Sequence, residues 1–174
     1  YGELNLSGYV GDATMYKLKN KGLCTPLKIP QGNPGAVPTY LVLEKAGFEV
    51  ITRLFKSPEN YKINKSNFEH SFWENKIAEI FSAYHPGIEE ELRDHKVDVL
   101  VHKDDRMIAF EVAMTDAHER QNIEKDLEGG CERVFICCKD KKVLKEVQEI
   151  IASLAEDKKA KVKAILLTGI IKLK

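Results

Sequence analysis

Two carboxylates, Asp98 and Glu111, lie in neighbouring apolar segments that a short polar stretch separates. A two-residue turn at Asp104-Asp105 would pair them directly across a β-hairpin. Opposed carboxylates have Cβ atoms about 4.5–5.5 Å apart and repel each other, so this hairpin needs a counter-charge. Mg²⁺ would supply it, because it binds one or two carboxylates together with water and substrate phosphate. The pair therefore predicts metal-dependent cleavage of phosphodiesters.

The two faces of this hairpin differ in composition. Side chains alternate with period two, so one face carries the carboxylates together with Leu100, His102, Met107, Ala109 and Ala113. The other face is apolar throughout: Val97, Val99, Val101, Ile108, Phe110, Val112 and Met114. We expect that apolar face to be the core. A slipped register or a longer turn would instead leave both carboxylates as ordinary exposed charges.

The hairpin belongs to an ordered series of predicted elements. A helix opens at Ser66 with apolar residues at helical spacing and ends at Pro86-Gly87. Strands are predicted at 88–92, 97–102, 107–114, 133–138 and 161–168, and further helices at 117–128 and 141–156. The order α, three β, α, β, α, β predicts an α/β fold with a mixed sheet flanked by helices.

A smaller α+β segment precedes this series. Asp12 can cap a helix over 13–21 that stops at Gly22, and strands are predicted at 23–29 and 40–43. Glycines and prolines between the strands favour a hairpin tip at 31–38, and 57–65 has the composition of a linker. We therefore expect a segment at 1–56, a linker at 57–65 and the main domain at 66–174.

Composition excludes several classes of protein. The 174 residues include 27 Lys+Arg and 27 Asp+Glu, so attraction to nucleic acid must come from local patches. The four cysteines lack CxxC spacing, which argues against a zinc or redox motif and favours free thiols in a reducing cytoplasm. No apolar run reaches the roughly 18–20 residues that span a bilayer. The chain starts at Tyr1 without an initiator Met, so we expect a piece of a longer protein or a processed product.

Residues 66–168 resemble the PD-(D/E)xK nuclease superfamily, which includes restriction enzymes and archaeal Holliday-junction resolvases. The resemblance rests on Val97-Asp98-Val99-Leu100-Val101, Phe110-Glu111-Val112-Ala113 and the order of elements. It implies a restriction-endonuclease-like fold with catalytic Asp98 and Glu111, and with Mg²⁺ or Mn²⁺ held by these carboxylates and the Val112 carbonyl. Glu69 is the nearest match to the acid of the first helix. A capping box with Ser66 would also explain Glu69, and Glu79 is an alternative acid.

The resemblance fails at one position. The lysine that the superfamily places two residues after the glutamate is Ala113 here. Two other lysines are candidate replacements. The hairpin register places Lys96 opposite Ala113, and Lys125 lies in the following helix. If neither reaches the carboxylates, the domain binds without cutting.

Residues 8–51 resemble the second half of a winged-helix module, which implies DNA contacts through Lys17, Lys19, Lys21 and Lys28. The alternative is a solvated helix face that serves protein contacts. His70 could contact phosphate or be an ordinary exposed histidine.

The combination of segment and domain resembles the C-terminal regions of some DNA-translocating ATPases of archaeal and mobile-element origin. It implies DNA, a larger ATPase or a second copy of the chain as partners. GxxxxGK[ST] is absent, so the chain itself hydrolyses no nucleotide by that route. The competing hypotheses are a DNA nuclease, a non-catalytic DNA-binding or docking module, and a regulator whose nuclease-like domain dimerises.

Overall fold

A computed structural model describes residues 12–32, 37–55 and 65–171. The chain divides into two compact units. The first comprises Tyr1–Pro30 and Gly35–Phe68, and the second comprises Gln31–Pro34 and Glu69–Lys174. Residues 57–64 of the predicted linker and the middle of the predicted hairpin tip lie outside the described residues, whereas Lys65 already belongs to a helix.

The first unit contains two helices and a two-stranded antiparallel sheet: α1 (Asp12–Asn20), β1 (Cys24–Lys28), β2 (Thr39–Leu43) and α2 (Lys45–Phe55). The predicted glycine stop of α1 is confirmed, because Gly22 has a φ of 64°. Its N–H donates to the Lys19 carbonyl at 2.9 Å, and the next N–H, of Leu23, donates to the Leu18 carbonyl at 3.0 Å. These two bonds form the Schellman motif that satisfies the last carbonyls of a helix.

Helix α2 corrects the sequence analysis, which assigned no helix between the second strand and the linker. Gly47 lies inside it and weakens the helical signal, since glycine is a poor helix former. The structure explains this glycine by close packing. A Cβ atom at Gly47 would lie 1.9 Å from the Leu23 carbonyl oxygen, so a larger residue does not fit there.

The second unit is mixed α/β. Its elements are α3 (Lys65–Ile80), a 3₁₀ turn (Ser82–Tyr84), β3 (Gly87–Leu92), β4 (His95–Lys103), β5 (Arg106–Ala113), α4 (Glu119–Gly129), β6 (Arg133–Cys138), α5 (Lys141–Ala152), α6 (Glu156–Lys159), β7 (Val162–Leu166) and α7 (Leu167–Ile170). The predicted order of helices and strands is confirmed. Three details are wrong. The first predicted helix ends at Ile80 and not at Pro86-Gly87, the predicted helix 141–156 ends at Ala152, and the end of the last predicted strand is the short helix α7.

The five strands form one sheet in the order β3-β4-β5-β6-β7. The first three are antiparallel, whereas β6 and β7 run parallel to β5. Asp104 and Asp105 have φ values of 50° and 62°, as a two-residue type I′ turn requires. The predicted register is confirmed by pairs from Lys103↔Arg106 to Val99↔Phe110.

Both faces of this sheet are buried, which corrects the expectation of a single core face. On the predicted apolar face, the Phe110 ring stacks on the Phe135 ring, with 5.1 Å between the ring centroids. The centroid of the Phe81 ring lies 4.7 Å from that of Phe110. The face predicted to carry the carboxylates contributes Leu100, Ala109 and Ala113 to a cluster with residues of α4 and α5, among them Ile123, Val143 and Val147. The carboxylates therefore lie against a second hydrophobic layer.

All four cysteines are free and buried: Cys24, Cys131, Cys137 and Cys138. This agrees with the expectation from their spacing. None of the helices among the described residues combines the length and the apolar character that crossing a membrane requires.

Candidate functional site

At one end of the β4–β5 ladder, the side chains of Asp98 and Glu111 each form a hydrogen bond with the backbone of the opposite strand. Beyond the pair Val99↔Phe110, the register places Asp98 opposite Glu111. Here the Val112 N–H donates to Asp98 Oδ2 at 2.7 Å, and the Asp98 N–H donates to Glu111 Oε1 at 3.3 Å. Each carboxylate thus accepts a hydrogen bond from the opposite strand, which fixes its orientation.

Glu111 is the more buried member of the pair, at 4% exposure. Burial and then the nearby Asp98 charge raise the pKa of Glu111 well above its ordinary value. Its Oε2 accepts a hydrogen bond from the Asn122 amide at 3.2 Å. Both oxygens of Glu111 therefore have hydrogen-bond donors from the protein.

Helix α3 brings His70 and Glu74 to the same end of the hairpin. His70 Nε2 lies 3.1 Å from Asp98 Oδ2, and His70 Nδ1 lies 3.5 Å from Glu74 Oε1. The hydrogen bond to Asp98, followed by the interaction with Glu74, raises the pKa of His70 to about 10. At neutral pH, with no metal ion bound, His70 is an imidazolium between two carboxylates.

His70, Glu74 and Asp98 form a group that could hold a metal ion. One ligand atom from each residue lies within 4.8 Å of the other two. Glu74 is 2% exposed, and its buried Oε1 lies 3.5 Å from His70 Nδ1 without the geometry of a hydrogen bond, so this oxygen accepts none among the described residues. The group contains one of the two predicted metal carboxylates, Asp98, but not Glu111.

Helix α4 adds three polar side chains on its inward face. Glu119, Asn122 and Asp126 recur at spacings of three and four residues, which places them along one side of a helix. Burial, with a contribution from Asp98, raises the pKa of Glu119 to about 7. Burial raises the pKa of Asp126 to about 6, although the hydrogen bond from His95 at 2.9 Å opposes that rise. Acidic groups from β4 and α4 therefore act on Glu111.

The two lysines predicted as replacements lie on different elements. Lys96 Nζ lies 3.2 Å from Glu89 Oε2 on the edge strand β3, and both side chains are more than half exposed. Lys125 is half-buried on α4. Among the described residues, neither lysine forms an ion pair with Asp98 or Glu111.

The two acids proposed for the first helix are separated. Glu69 Oε2 lies 3.3 Å from Lys139 Nζ, whereas Glu79 pairs with Lys76 on an exposed part of α3. The side chain of Ser66, and with it the proposed capping box, lies outside the described residues. Lys17, Lys19, Lys21 and Lys28 are exposed in the first unit.

Sequence reasoning missed Glu74, Glu119, Asn122 and Asp126. A signal was present in the spacing, since His70 and Glu74 are four residues apart on one helix face. The three polar residues of α4 also repeat with helical period. Each pattern is common on solvated helices, so only the tertiary contacts distinguish these residues from surface polar groups.

Comparison with models of known protein families gives no match to this chain, and comparison with curated proteins gives none either. Functional inference therefore depends on the side chains that the fold brings together.

Proposed function

We propose that this chain is a divalent-metal-dependent deoxyribonuclease whose second unit has a restriction-endonuclease-like fold. One observation carries the proposal: Asp98 and Glu111 are joined across the end of the hairpin, while His70 and Glu74 converge on Asp98. The element order and the change from antiparallel to parallel strands at β5 also support it.

The donor set fits a divalent cation. Buried oxygens of Glu74 and Glu119 have no hydrogen-bond partner among the residues described, which leaves lone pairs for a cation to satisfy. Carboxylate oxygens suit Mg²⁺ and Mn²⁺, and an imidazole favours the transition metal. His70, Glu74 and Asp98 would hold the ion, with Glu111 beside them. When bound, such an ion activates water and neutralises charge that develops on the phosphodiester.

The protein's own residues prepare the site for this chemistry. The Val112 N–H orients Asp98, and the Asn122 amide orients Glu111, so neither carboxylate must be ordered when substrate arrives. In the imidazolium, His70 Nε2 carries a proton and faces Asp98. This nitrogen would have to lose that proton before it could bind a metal ion, because only the neutral imidazole is a ligand. Glu119, with a pKa of about 7, is suited to exchange a proton near neutral pH.

The first unit would contribute DNA binding. Its α-β-β-α order contains the helix and two strands of the proposed partial winged helix. The exposed Lys17, Lys19, Lys21 and Lys28 would contact phosphates and give an affinity that falls with salt concentration.

A non-catalytic DNA-binding or docking module, including one that belongs to a larger ATPase, is the second candidate. Ala113 favours it, because it occupies the position of the superfamily's lysine. The pairing of Lys96 with Glu89 favours it as well. This candidate predicts binding of DNA and metal without cleavage.

Cleavage assays separate the two candidates. The protein is incubated with branched, single-stranded and duplex DNA in Mg²⁺ or Mn²⁺, beside Asp98→Asn and Glu111→Gln variants. Asp98→Asn keeps an oxygen that can accept from the Val112 N–H, whereas Glu111→Gln keeps one of the two hydrogen bonds that Glu111 accepts. Neither variant can supply the carboxylate charge that binds a cation. We expect cleavage to fall by about 100-fold or more, since even outer partners of metal ligands contribute about 10–100-fold.

Glu91→Gln is the matched control, because Glu91 is an exposed acid on β3 of the same sheet. It should retain full cleavage. Cleavage that survives both site substitutions would contradict the assignment of the site. DNA and metal binding with no cleavage in any condition would establish the second candidate.

A further inference from the structure

The candidate site is rich in acids and has little positive charge of its own. Glu74, Asp98, Glu111, Glu119 and Asp126 contribute carboxylates, whereas His70 is the basic group in contact with Asp98. A phosphodiester is itself an anion. A substrate phosphate therefore needs a cationic side chain near the site, in addition to any metal ion.

Lys139 lies at the end of the sheet where these residues meet. It directly follows β6, and its N–H donates to the Ala113 carbonyl at 3.0 Å. Ala113 is two residues beyond Glu111 on the neighbouring strand. The carboxyl ends of β5 and β6 and the first half of β4 share this end, and ligands of open α/β sheets bind beyond the carboxyl ends of strands.

The side chain of Lys139 points towards α3. Its Nζ lies 3.3 Å from Glu69 Oε2, and Glu69 immediately precedes His70, whose ring contacts Asp98. The side chains of Lys139 and Glu69 are 44% and 23% exposed. A pair with this much solvent contact contributes little to stability, so an incoming anion can displace Glu69 at small cost.

We propose that Lys139 binds the phosphate of the nucleic-acid substrate and that Glu69 holds this lysine until the phosphate replaces it. The inference rests on the proposed function, since it assigns a partner to the same site. It makes Glu69 a positioning residue and not a metal ligand. It also gives this end of the sheet a lysine just after β6, in place of a lysine at position 113 of β5.

The proposal gives Lys139 and Glu69 opposite effects on binding. Affinity for a fluorescent single-stranded oligonucleotide is measured by anisotropy in EDTA over a range of salt concentrations. We expect Lys139→Ala to weaken binding and to reduce the salt slope by about 0.7, the value for one phosphate contact. Lys139→Arg should retain the slope. Glu69→Gln should tighten binding by about 1.5- to 5-fold, because it frees the lysine from an exposed ion pair.

Lys142→Ala is the control, because Lys142 lies three residues further on, is 83% exposed and pairs with Glu146. It should leave the affinity and the salt slope unchanged. If the Lys139–Glu69 pair is only structural, both site substitutions will change binding in the same direction or not at all, which would overturn the inference. Circular dichroism confirms that each variant is folded.

Cleavage by the wild-type protein separates this failure from a failure of the proposed function. Cleavage with no opposite effects at Lys139 and Glu69 would reject the inference alone. Absence of both DNA binding and cleavage in the wild-type protein would reject the proposed function and this inference together.

Discussion

At the residue scale, Glu111 shows how the fold changes the chemistry of a side chain. Its segment is otherwise apolar, and the register places it opposite another acid. Because Glu111 is almost fully buried, burial adds to this repulsion and favours the protonated carboxyl. The Asp98 N–H opposes the shift by stabilising the anion. A cation at this site would therefore release protons as it binds.

Glu119 provides a test of this electrostatic arrangement. Its folded-state pKa of about 7 lies above the ordinary 4.5, so folding takes up a proton between these values and stability falls as pH rises through them. We expect Glu119→Gln to increase the free energy of unfolding at pH 8 by about 1–3 kcal/mol and to change it little near pH 4. Chemical denaturation in EDTA at the two pH values measures the difference.

Glu156 provides the control for this substitution, since its side chain is 88% exposed. Glu156→Gln should have the same small effect at both pH values. An equal effect of Glu119→Gln at pH 4 and pH 8 would show that burial does not shift the pKa of this carboxyl.

At the element scale, Gly22 and Gly47 of the first unit have different roles. Gly22 ends α1 with a positive φ, and a Cβ atom there would meet no other atom within 4 Å. Gly47 has no positive φ, but α2 approaches Leu23 so closely at this point that a Cβ atom would collide with backbone. One position requires glycine for its conformation and the other for its packing.

Alanine substitutions at these two glycines should differ in cost. Gly22→Ala should lower stability by about 1 kcal/mol, the penalty for a left-handed residue with a Cβ atom. Gly47→Ala should cost more, about 1–3 kcal/mol, because the backbone itself must shift. Amide hydrogen exchange of α1 and α2 reports both losses locally. A smaller loss at Gly47 than at Gly22 would contradict the close approach of α2 to Leu23.

At the scale of the whole molecule, the five-stranded sheet is covered on both faces, and the candidate site lies within that single unit. Its residues come from α3, β4, β5 and α4, and a cation held by His70, Glu74 and Asp98 would link α3 to β4. A ligand that binds only the folded state stabilises it by mass action. Metal binding should therefore be visible in global unfolding, independently of any catalysis.

We expect Mn²⁺ to raise the unfolding temperature of the wild-type protein, with a gain of about 2.7 kcal/mol when the ion is at 100 times its Kd. Asp98→Asn should abolish this gain and lower stability in EDTA, because it removes the carboxylate that pairs with the His70 imidazolium. Calorimetry with and without Mn²⁺ measures both effects. The Glu91→Gln control should keep the metal-dependent gain. An equal gain in the Asp98→Asn variant would place the ion elsewhere.

The sequence determined those features that depend on neighbouring residues. The two-residue turn at Asp104-Asp105 set the hairpin register, since each residue shifts the pairing by one position. Apolar runs and glycines located most helices and strands. The pairing of Asp98 with Glu111 was therefore predictable, whereas α2 was missed because Gly47 interrupts its pattern.

Only the tertiary structure decided which distant groups meet at the site. His70 and Glu74 reach Asp98, and Asn122 reaches Glu111, because both faces of the sheet are packed against other elements. The same packing buried Glu111 and raised its pKa. It also placed Lys139, which the sequence pattern did not single out, beside Ala113. Local sterics and turn geometry act between near neighbours in sequence, whereas burial and long-range contacts arise only when the whole chain packs.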